Sequence, residues 1–507
     1  MSCPRPRRAC CYVRRIQRQN GSNHDKRLPG APMNGAGGGD GRGVAGRGSG
    51  AGAGRGRDRV LGLGPGLGRE LVRGPQRGRR PGGQRDAGEE RQGPGVDAPG
   101  AWLRARASLP AQGAALLLLV LTVTEIASSA ANGLDNRVLV TAGRALLDGR
   151  SPYADKRLLY LPSSVPLAVP EAELGARVLQ VLVPVVTALA ILAGWRAALR
   201  IFDVGLRSRL GVAVAGGLAY FAPFRSEVGL GNWTVASVLA LPVALGLAAR
   251  NRWTAAAAVI GAAIACKPML LPVALLFVFA RRWRALAVLA GIPLAASALA
   301  ALLIPRPGLL VTKTLPFLLH GQDAFARPYD ASLGTVLPRA GVPHLPAVLI
   351  AAALAAAGVA AAWIRWRRGG DGRLRLVETA SMLMLATFVL SRPAFLHYVL
   401  VVLPVLLASL PLRGAVPRSP WFWIVLLPQN GALLVPALES LQRRAFRDAV
   451  MLTGLCLVLT AHCLRRPAPA PPDAAGCPAA RAAHPLPTGP PGAAGPAGPG
   501  APAGRSH

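Results

Sequence analysis

The chain has 507 residues, of which 52% are hydrophobic and only 16% are charged, and it carries a formal net charge of +35. The basic residues and the apolar residues lie in different parts of the sequence. This separation excludes one soluble globular domain and indicates a chain with several regions of different character.

Residues 1–105 are rich in Arg, Gly and Pro and hold too few large apolar side chains to form a core. We expect a disordered cytoplasmic segment or an over-extended start to the reading frame. An arm that binds nucleic acid is the rival interpretation. Aromatic residues for base stacking are not interleaved with the arginines, so we expect no nucleic-acid partner. Residues 465–507 return to Pro, Ala and Gly, and we expect a second disordered tail.

Residues 106–464 consist of apolar runs separated by short loops that carry arginine, which is typical of a polytopic helical membrane protein. With the N-terminus in the cytoplasm, every short inward loop has an excess of arginine, as the positive-inside rule requires. We therefore predict an all-α, multi-pass protein of the plasma membrane. Its roughly twelve spans lie near residues 111–131, 174–195, 210–224, 233–249, 254–266, 268–280, 285–304, 345–364, 377–390, 397–412, 420–438 and 447–464.

Residues 254–280 are too long for one ordinary span and contain Lys267 and Pro268 near their centre. A lysine inside the bilayer is costly, and proline interrupts the hydrogen bonds of a helix. The pattern favours a short or re-entrant hairpin whose tip, Lys267, points toward a cavity that is reached from outside.

The predicted topology places a few connections on the outer face. They are residues 132–173, 225–232, the tip at Lys267, 305–344 and 391–397. The two long connections are where a water-soluble reaction partner could be held. In the turn FRSEVGLGN, Arg225 and Glu227 form either an ion pair that lines the site or a solvated turn.

The first outer connection begins with DNRVLVTAGRALLDG, whose spacing predicts a short amphipathic helix that starts near Asp135 and stops at Gly149. Asp135 is then either the N-cap of this helix or a general base that accepts a proton from an alcohol. Composition does not decide between the two roles.

Five motifs follow one another along these outer connections. They are Asp135 with Gly149, Tyr153 and the turn Tyr160, Leu161 and Pro162; GLGN, ending at Asn232; Lys267 with Pro268; YDASLG, with Asp330 and Ser332; and SRPAFLHY, with His397. In this order they resemble glycosyltransferase family 87, whose members use polyprenyl-phosphate sugars, over about residues 110–464.

The resemblance implies a GT-C-like helical bundle and an inverting transfer. Asp135 matches the first-loop aspartate that deprotonates the acceptor hydroxyl. Lys267 would contact the donor phosphate, or else be a snorkelling lysine. His397 would bind the phosphate or acceptor or protonate the leaving group, unless it is an interfacial histidine. Asp330 would bind sugar hydroxyls or be an ordinary loop charge.

The remaining motif positions, Asn232 and Tyr153, are expected to bind donor phosphate or acceptor. The implied partners are a polyprenyl-phosphate sugar, a glycolipid or cell-envelope glycan acceptor on the outer face, and membrane lipids. His397 resembles the mannosyl branch of the family, which we favour. The run from RRWRALAVLAGIP to KTLPFLL resembles the arabinofuranosyl branch.

The motifs also depart from the family pattern, with Leu230 for Gln, Asp330 for Asn and Tyr398 for His. A degenerate member with a structural or lipid-scrambling role therefore remains an alternative, as does a secondary transporter, although no internal repeat is evident. The seven cysteines show no zinc-binding spacing, so we expect no metal and no cofactor.

Overall fold

The computed structural model describes residues 97–129, 132–321, 328–430 and 441–465. Within these ranges the chain forms seventeen α-helices and no β-strand. In order they are α1 Ala98–Arg104, α2 Leu109–Ala127, α3 Leu134–Leu147, α4 Ser164–Glu173, α5 Ala176–Ile201, α6 Arg209–Leu218, α7 Ala222–Leu230, α8 Thr234–Ala249, α9 Trp253–Cys266, α10 Ala274–Phe279, α11 Trp283–Leu303, α12 Leu333–Arg339, α13 His344–Arg367, α14 Gly372–Leu390, α15 Val399–Ala408, α16 Pro420–Leu426 and α17 Leu441–Leu464.

Among the described residues, five helices are long and apolar enough to cross a membrane, namely α2, α5, α11, α13 and α17 from Arg443 onward. A sixth is added if α7 and α8, which meet at a bend of 119°, count as one span. The predicted all-α membrane fold is therefore confirmed, but the predicted count of about twelve spans is not.

The count differs because several apolar runs form short helices. The predicted span 210–224 is divided between α6 and the start of α7. Helix α6 has 10 residues, and a rise of about 1.5 Å per residue leaves it far short of the roughly 30 Å hydrocarbon layer. Part of the predicted span 420–438 lies outside the described residues.

The core of the bundle is formed by α14 and α15. Every residue of α15 is buried, as is every residue from 376 to 386 of α14. Helix α13 packs closely on α14 at Gly358, where a Cβ would lie 2.9 Å from Ala386 Cβ and 2.9 Å from Met382 Cε. The loop between α14 and α15, which begins after Leu390, carries part of the candidate site.

Residues 253–279 form a hairpin, as the position of Lys267 and Pro268 predicts. Helix α9 ends at Lys267, whose backbone is extended at φ −154° and ψ 126°. The chain then returns through a 3₁₀ turn, Pro268–Val273, into α10. Trp253 at the start of α9 packs edge-to-face on Phe277 of α10, with ring centroids 5.6 Å apart. The two arms are therefore antiparallel, and Lys267 lies at the turn.

Helix α3 is the amphipathic helix predicted after the first span. Its buried face contains Leu139, Ala142 and Ala145, and the chain leaves it at Gly149, where φ is 67°. The N-cap position is occupied by Gly133, so the N-cap interpretation of Asp135 is wrong. Asp135 lies inside the first turn, where a carboxylate interacts favourably with the helix dipole.

Residues 98–104 form helix α1, although they fall within the range 1–105 that the sequence predicts to be disordered. Asp97 caps this helix by accepting from the Gly100 N–H, and both of its oxygens accept from Arg418, at 2.5 and 2.7 Å. These contacts order the segment. Residues 1–96 and 466–507 lie outside the described residues.

Candidate active site

The candidate site lies where the predicted outer connections meet. Asp135 comes from the first turn of α3, and Asn232 comes from the sharp turn between α7 and α8. Lys267 comes from the hairpin turn, and His397 from a short 3₁₀ turn before α15. Asp330 comes from the segment before α12. Residues that are far apart in the sequence are thus brought to one end of the bundle.

Asn232 joins Asp135 to Lys267. Its side-chain nitrogen donates to Oδ2 of Asp135 at 2.6 Å, and its side-chain oxygen accepts from the Lys267 ammonium at 2.6 Å. The ammonium also donates to Thr234 Oγ1 at 2.7 Å. Three candidate residues from three separate motifs therefore form one continuous hydrogen-bonded chain.

The GLGN motif shapes the turn that carries Asn232. Gly231 ends α7 in the left-handed region, with φ 63°, and a Cβ there would lie 2.4 Å from Val183 Cγ1. Only glycine avoids both the strained backbone and the collision. The Gly229 carbonyl accepts from the Gly133 N–H at 2.8 Å, which ties this turn to the loop before α3. The motif therefore places Asn232 beside Asp135.

The environment of Asp135 favours a carboxyl group that accepts a proton more readily than usual. Burial raises its pKa above the ordinary value, although the Asn232 hydrogen bond and the charge of Lys267 act in the opposite direction. A raised pKa makes a carboxylate a stronger base, which suits proton abstraction from an alcohol.

Two aromatic rings flank Lys267. Its Nζ lies 5.4 Å from the ring centroid of Tyr398 and 5.9 Å from that of Tyr160. Such distances allow cation–π attraction, which offsets part of the cost of keeping an ammonium away from water. Tyr398 stands where the family pattern has a second histidine, and here it contributes to the surroundings of the cation.

Glu227 and His397 form a second, deeper pair. Glu227 is fully buried and His397 is 1% exposed, and Oε2 of the glutamate lies 3.6 Å from Nε2 of the histidine. Arg225 does not pair with Glu227, because its guanidinium donates to Glu125 at 2.7 Å near the surface. Glu227 is therefore neither paired with Arg225 nor part of a solvated turn, which were the two interpretations of the sequence FRSEVGLGN.

Asp330, for which the resemblance implies binding of sugar hydroxyls, makes hydrogen bonds within the protein. It is buried, and Oδ1 accepts from the backbone N–H groups of Ser332 and Ala394 at 2.8 and 2.9 Å. Its Oδ2 accepts from Thr335 Oγ1 at 2.6 Å. Both oxygens thus hold the start of α12 against the 391–397 loop. Sugar binding by Asp330 stays a prediction, with these bonds as its structural alternative.

Tyr153 lies in the wall of the first loop. Its side chain is fully buried against Leu139 and Leu158, and its hydroxyl donates to the Tyr160 carbonyl at 3.0 Å. Direct contact with donor or acceptor stays a prediction, whereas the observed bond positions Tyr160 beside Lys267. Asp148 and Asp155 pair with Arg150 and Arg157 near the surface, which agrees with their interpretation as ordinary charges.

Residues 158–393 match the family model of glycosyltransferase family 87. These residues belong to glycosyltransferase family 87. The resemblance inferred from the motifs is confirmed over these residues, and together with the apolar helices the match indicates a membrane glycosyltransferase. No curated protein and no solved structure matches the chain. The family 87 segment, residues 158–393, contains Asn232, Lys267 and Asp330, whereas Asp135 and His397 lie on either side of it.

Proposed function

We propose that the chain transfers a sugar, with mannose favoured over arabinofuranose, from a polyprenyl-phosphate donor to a glycolipid or cell-envelope glycan. The reaction takes place on the outer face of the plasma membrane and inverts the anomeric carbon. The observation that carries this proposal is the hydrogen-bonded chain from Asp135 through Asn232 to Lys267, because it holds a base and a cation side by side.

Asp135 acts as the general base. The Asn232 amide fixes Oδ2, and we assign Oδ1 as the oxygen that accepts the proton of the acceptor hydroxyl. The freed oxygen attacks the anomeric carbon from the side opposite the phosphate. The bond from that carbon to the phosphate oxygen breaks, and its electron pair leaves with the lipid phosphate.

Lys267 stabilises the charge that builds up on the departing phosphate. An ammonium has three N–H donors, and those that bond Asn232 and Thr234 fix its position. The remaining donor is assigned to the phosphate. A fixed cation beside a developing anion lowers the barrier without a reorganisation step.

An apolar groove supports a lipid-linked donor. It is a shallow, largely open depression of about 620 Å³ that is lined by Phe279, by one face of α13 from Ala352 to Trp363, and by Leu390. Leu390 is the last residue of α14 and directly precedes the loop that carries His397. A prenyl chain in this groove would therefore bring its phosphate toward the site.

The test uses membranes with equal amounts of wild type, Asp135→Asn and Asp148→Asn, supplied with radiolabelled polyprenyl-phospho-mannose or polyprenyl-phospho-arabinose and host lipid extract. We expect transfer by wild type and by Asp148→Asn, because Asp148 pairs with Arg150 at the exposed end of the same helix. Asp135→Asn should lose about 10²–10⁴-fold in kcat, the usual contribution of a general base. Equal transfer by all three proteins would exclude Asp135 as the base, and the donor that is used identifies the sugar.

A further inference from the structure

Trp233 is an aromatic residue beside the candidate site that the mechanism above does not use. It lies at the 119° bend between α7 and α8, directly after Asn232, and its side chain is partly exposed. Partly exposed tryptophans are common where a protein meets the membrane surface, so exposure alone assigns no role. The contacts of the ring are more specific.

A hydrogen bond fixes the plane of the Trp233 ring. Its Nε1 donates to Oδ1 of Asn136 at 3.3 Å, and Asn136 is a buried residue of α3 that directly follows Asp135. A side-chain hydrogen bond from Asn136 also acts on the carboxylate of Glu171 in α4. The indole is therefore attached, through one amide, to the helix that carries the proposed base.

The two helices that support Asn136 are closely packed. Helix α3 approaches α4 at Gly143, where a Cβ would lie 2.8 Å from the Ala168 carbonyl oxygen. Arg144 of α3 donates to the Ala172 carbonyl of α4 at 2.6 Å. A ring that is already held by such a support loses little conformational freedom when a ligand packs on it, which favours binding.

The two polar and aromatic contacts of Trp233 do not cover both faces of its ring. The Nε1 bond lies in the ring plane. The edge-to-face contact with Tyr160, with 6.3 Å between ring centroids and 75° between ring planes, uses at most one face. Tyr160 also flanks the cation, because Lys267 Nζ lies 5.9 Å from its ring centroid. The indole is thus attached beside the base, and Tyr160 lies beside the cation.

We propose that Trp233 is the platform on which the terminal sugar ring of the acceptor packs, and that Asn136 is a positioning residue that holds this platform. The inference rests on the proposed function and names its acceptor class. The acceptor ends in a pyranose that offers one of its own hydroxyls, and it is not a simple lipid alcohol.

The chemistry of a pyranose matches this position. The C–H groups on one face of the sugar are apolar and slightly positive, and the face of an aromatic ring is slightly negative. Asp135 must lie within hydrogen-bond reach of the attacking hydroxyl. The sugar that bears this hydroxyl is therefore the one that reaches a ring attached to Asn136, the next residue of the chain.

The test titrates donor and acceptor separately in membranes with equal amounts of wild type, Trp233→Ala and Trp233→Phe. The donor is the polyprenyl-phospho-sugar that the wild type uses, and the acceptor is host lipid extract. We expect Trp233→Ala to raise KM for the acceptor about 10-fold, with kcat and the donor KM nearly unchanged, because stacking is present before and during transfer. Trp233→Phe keeps an aromatic face and should recover most of the loss.

Two competitors with the same alkyl tail show whether a ring is recognised. Octyl mannopyranoside contains a pyranose, whereas octyl glycerol ether has free hydroxyls and no ring. We expect the mannoside to inhibit transfer to the extract at about 10-fold lower concentration, and we expect this difference to shrink in Trp233→Ala. Inhibition by the mannoside that is no stronger than that by the glycerol ether would overturn the assignment.

Trp283→Ala is the matched control. Trp283 is the first residue of α11, is 60% exposed and has no part in the candidate site. Its replacement should leave the KM values for donor and acceptor unchanged. Tm in detergent micelles is measured for every variant, and Trp233→Phe keeps the comparison available if Trp233→Ala is poorly folded.

Asn136→Ala tests the positioning role. It should raise the acceptor KM about 3-fold and add nothing in the Trp233→Ala background, because Asn136 acts through the indole. Additive losses would contradict that role. An acceptor KM unaffected by Trp233→Ala, or a rise in the donor KM instead, would overturn the inference and leave the proposed function standing. A wild type that is inactive with every donor would remove both.

Discussion

Asn232 uses both ends of its amide, and no other residue type of its size can do so. The nitrogen must donate to the Asp135 carboxylate while the oxygen accepts from the Lys267 ammonium. An aspartate keeps the contact with the lysine but loses the donor. The side chain at position 232 therefore affects the pKa of Asp135.

Asn232→Asp is expected to move the acid limb of kcat/KM to higher pH. The added negative charge and the lost hydrogen bond both disfavour the ionised form of Asp135, so its pKa rises further above the ordinary value. A base with a higher pKa is protonated, and inactive, at a higher pH. The measurement is the pH profile of sugar transfer. Asn132→Ala, which removes a bond from the segment before α3 to the Gln180 carbonyl of α5, should leave the limb in place.

Gly231→Ala is expected to destabilise the protein. A left-handed residue with a Cβ costs about 1–2 kcal/mol, and the added carbon would also lie 2.4 Å from Val183 Cγ1. Tm in detergent micelles should fall and transfer should be lost. Gly229→Ala is the matched control, because its Cβ would lie 3.6 Å from Ile126 Cγ2 and needs no unusual backbone. A similar Tm for both variants would contradict the argument.

At the scale of elements, the sequence predicts some features well and others poorly. Lys267 and Pro268 in the middle of an apolar run predict the hairpin, because each is incompatible with a straight span. The lengths of α6 and α7 were not predictable, since hydropathy does not show where an apolar run bends. Burial of Glu227 was missed for a similar reason. It depends on the packing of α7 against the loop 391–397, which only the tertiary structure reveals.

The groove along α13 gives a prediction about the lipid part of the donor. Ala356→Trp fills the groove with a large side chain and should raise KM for a long-chain donor about 10-fold or more, the effect of losing about 1.4 kcal/mol of binding. A donor with a very short prenyl chain should be used as before. Ala353→Trp, also exposed on α13 but outside the groove lining, is the control. Equal effects on both donors would exclude the groove as the prenyl site.

At the scale of the whole molecule, the arginine-rich loops predict which end of the bundle faces the cytoplasm, and the site then faces outward. Single cysteines in a variant that lacks the seven native ones test this orientation. A membrane-impermeant maleimide added to intact cells should label Asp148→Cys and spare Arg250→Cys, both of which replace exposed residues. The reverse pattern would place the site on the cytoplasmic side and contradict the proposed acceptor.

The segment that matches the family model does not contain all of the candidate site residues. The family 87 segment holds the cation and the turn that anchors it, but Asp135 precedes the segment and His397 follows it. The proposed role of Asp135 as the base therefore rests on a motif outside the matched segment. The motifs also depart from the family pattern, for example at Tyr398, which stands in place of a histidine. The structure explains this departure, because the Tyr398 ring lies beside Lys267.

The ion pair between Asp97 and Arg418 has a consequence for biosynthesis. The two residues are 321 positions apart, and ribosomes add about 5–20 residues per second. Helix α1 therefore leaves the ribosome roughly 15–60 s before its partner is made. It can dock earlier through Arg104, which donates to the Phe202 carbonyl at 2.9 Å, and its attachment to Arg418 is a later step that follows the synthesis of helices α2 to α15.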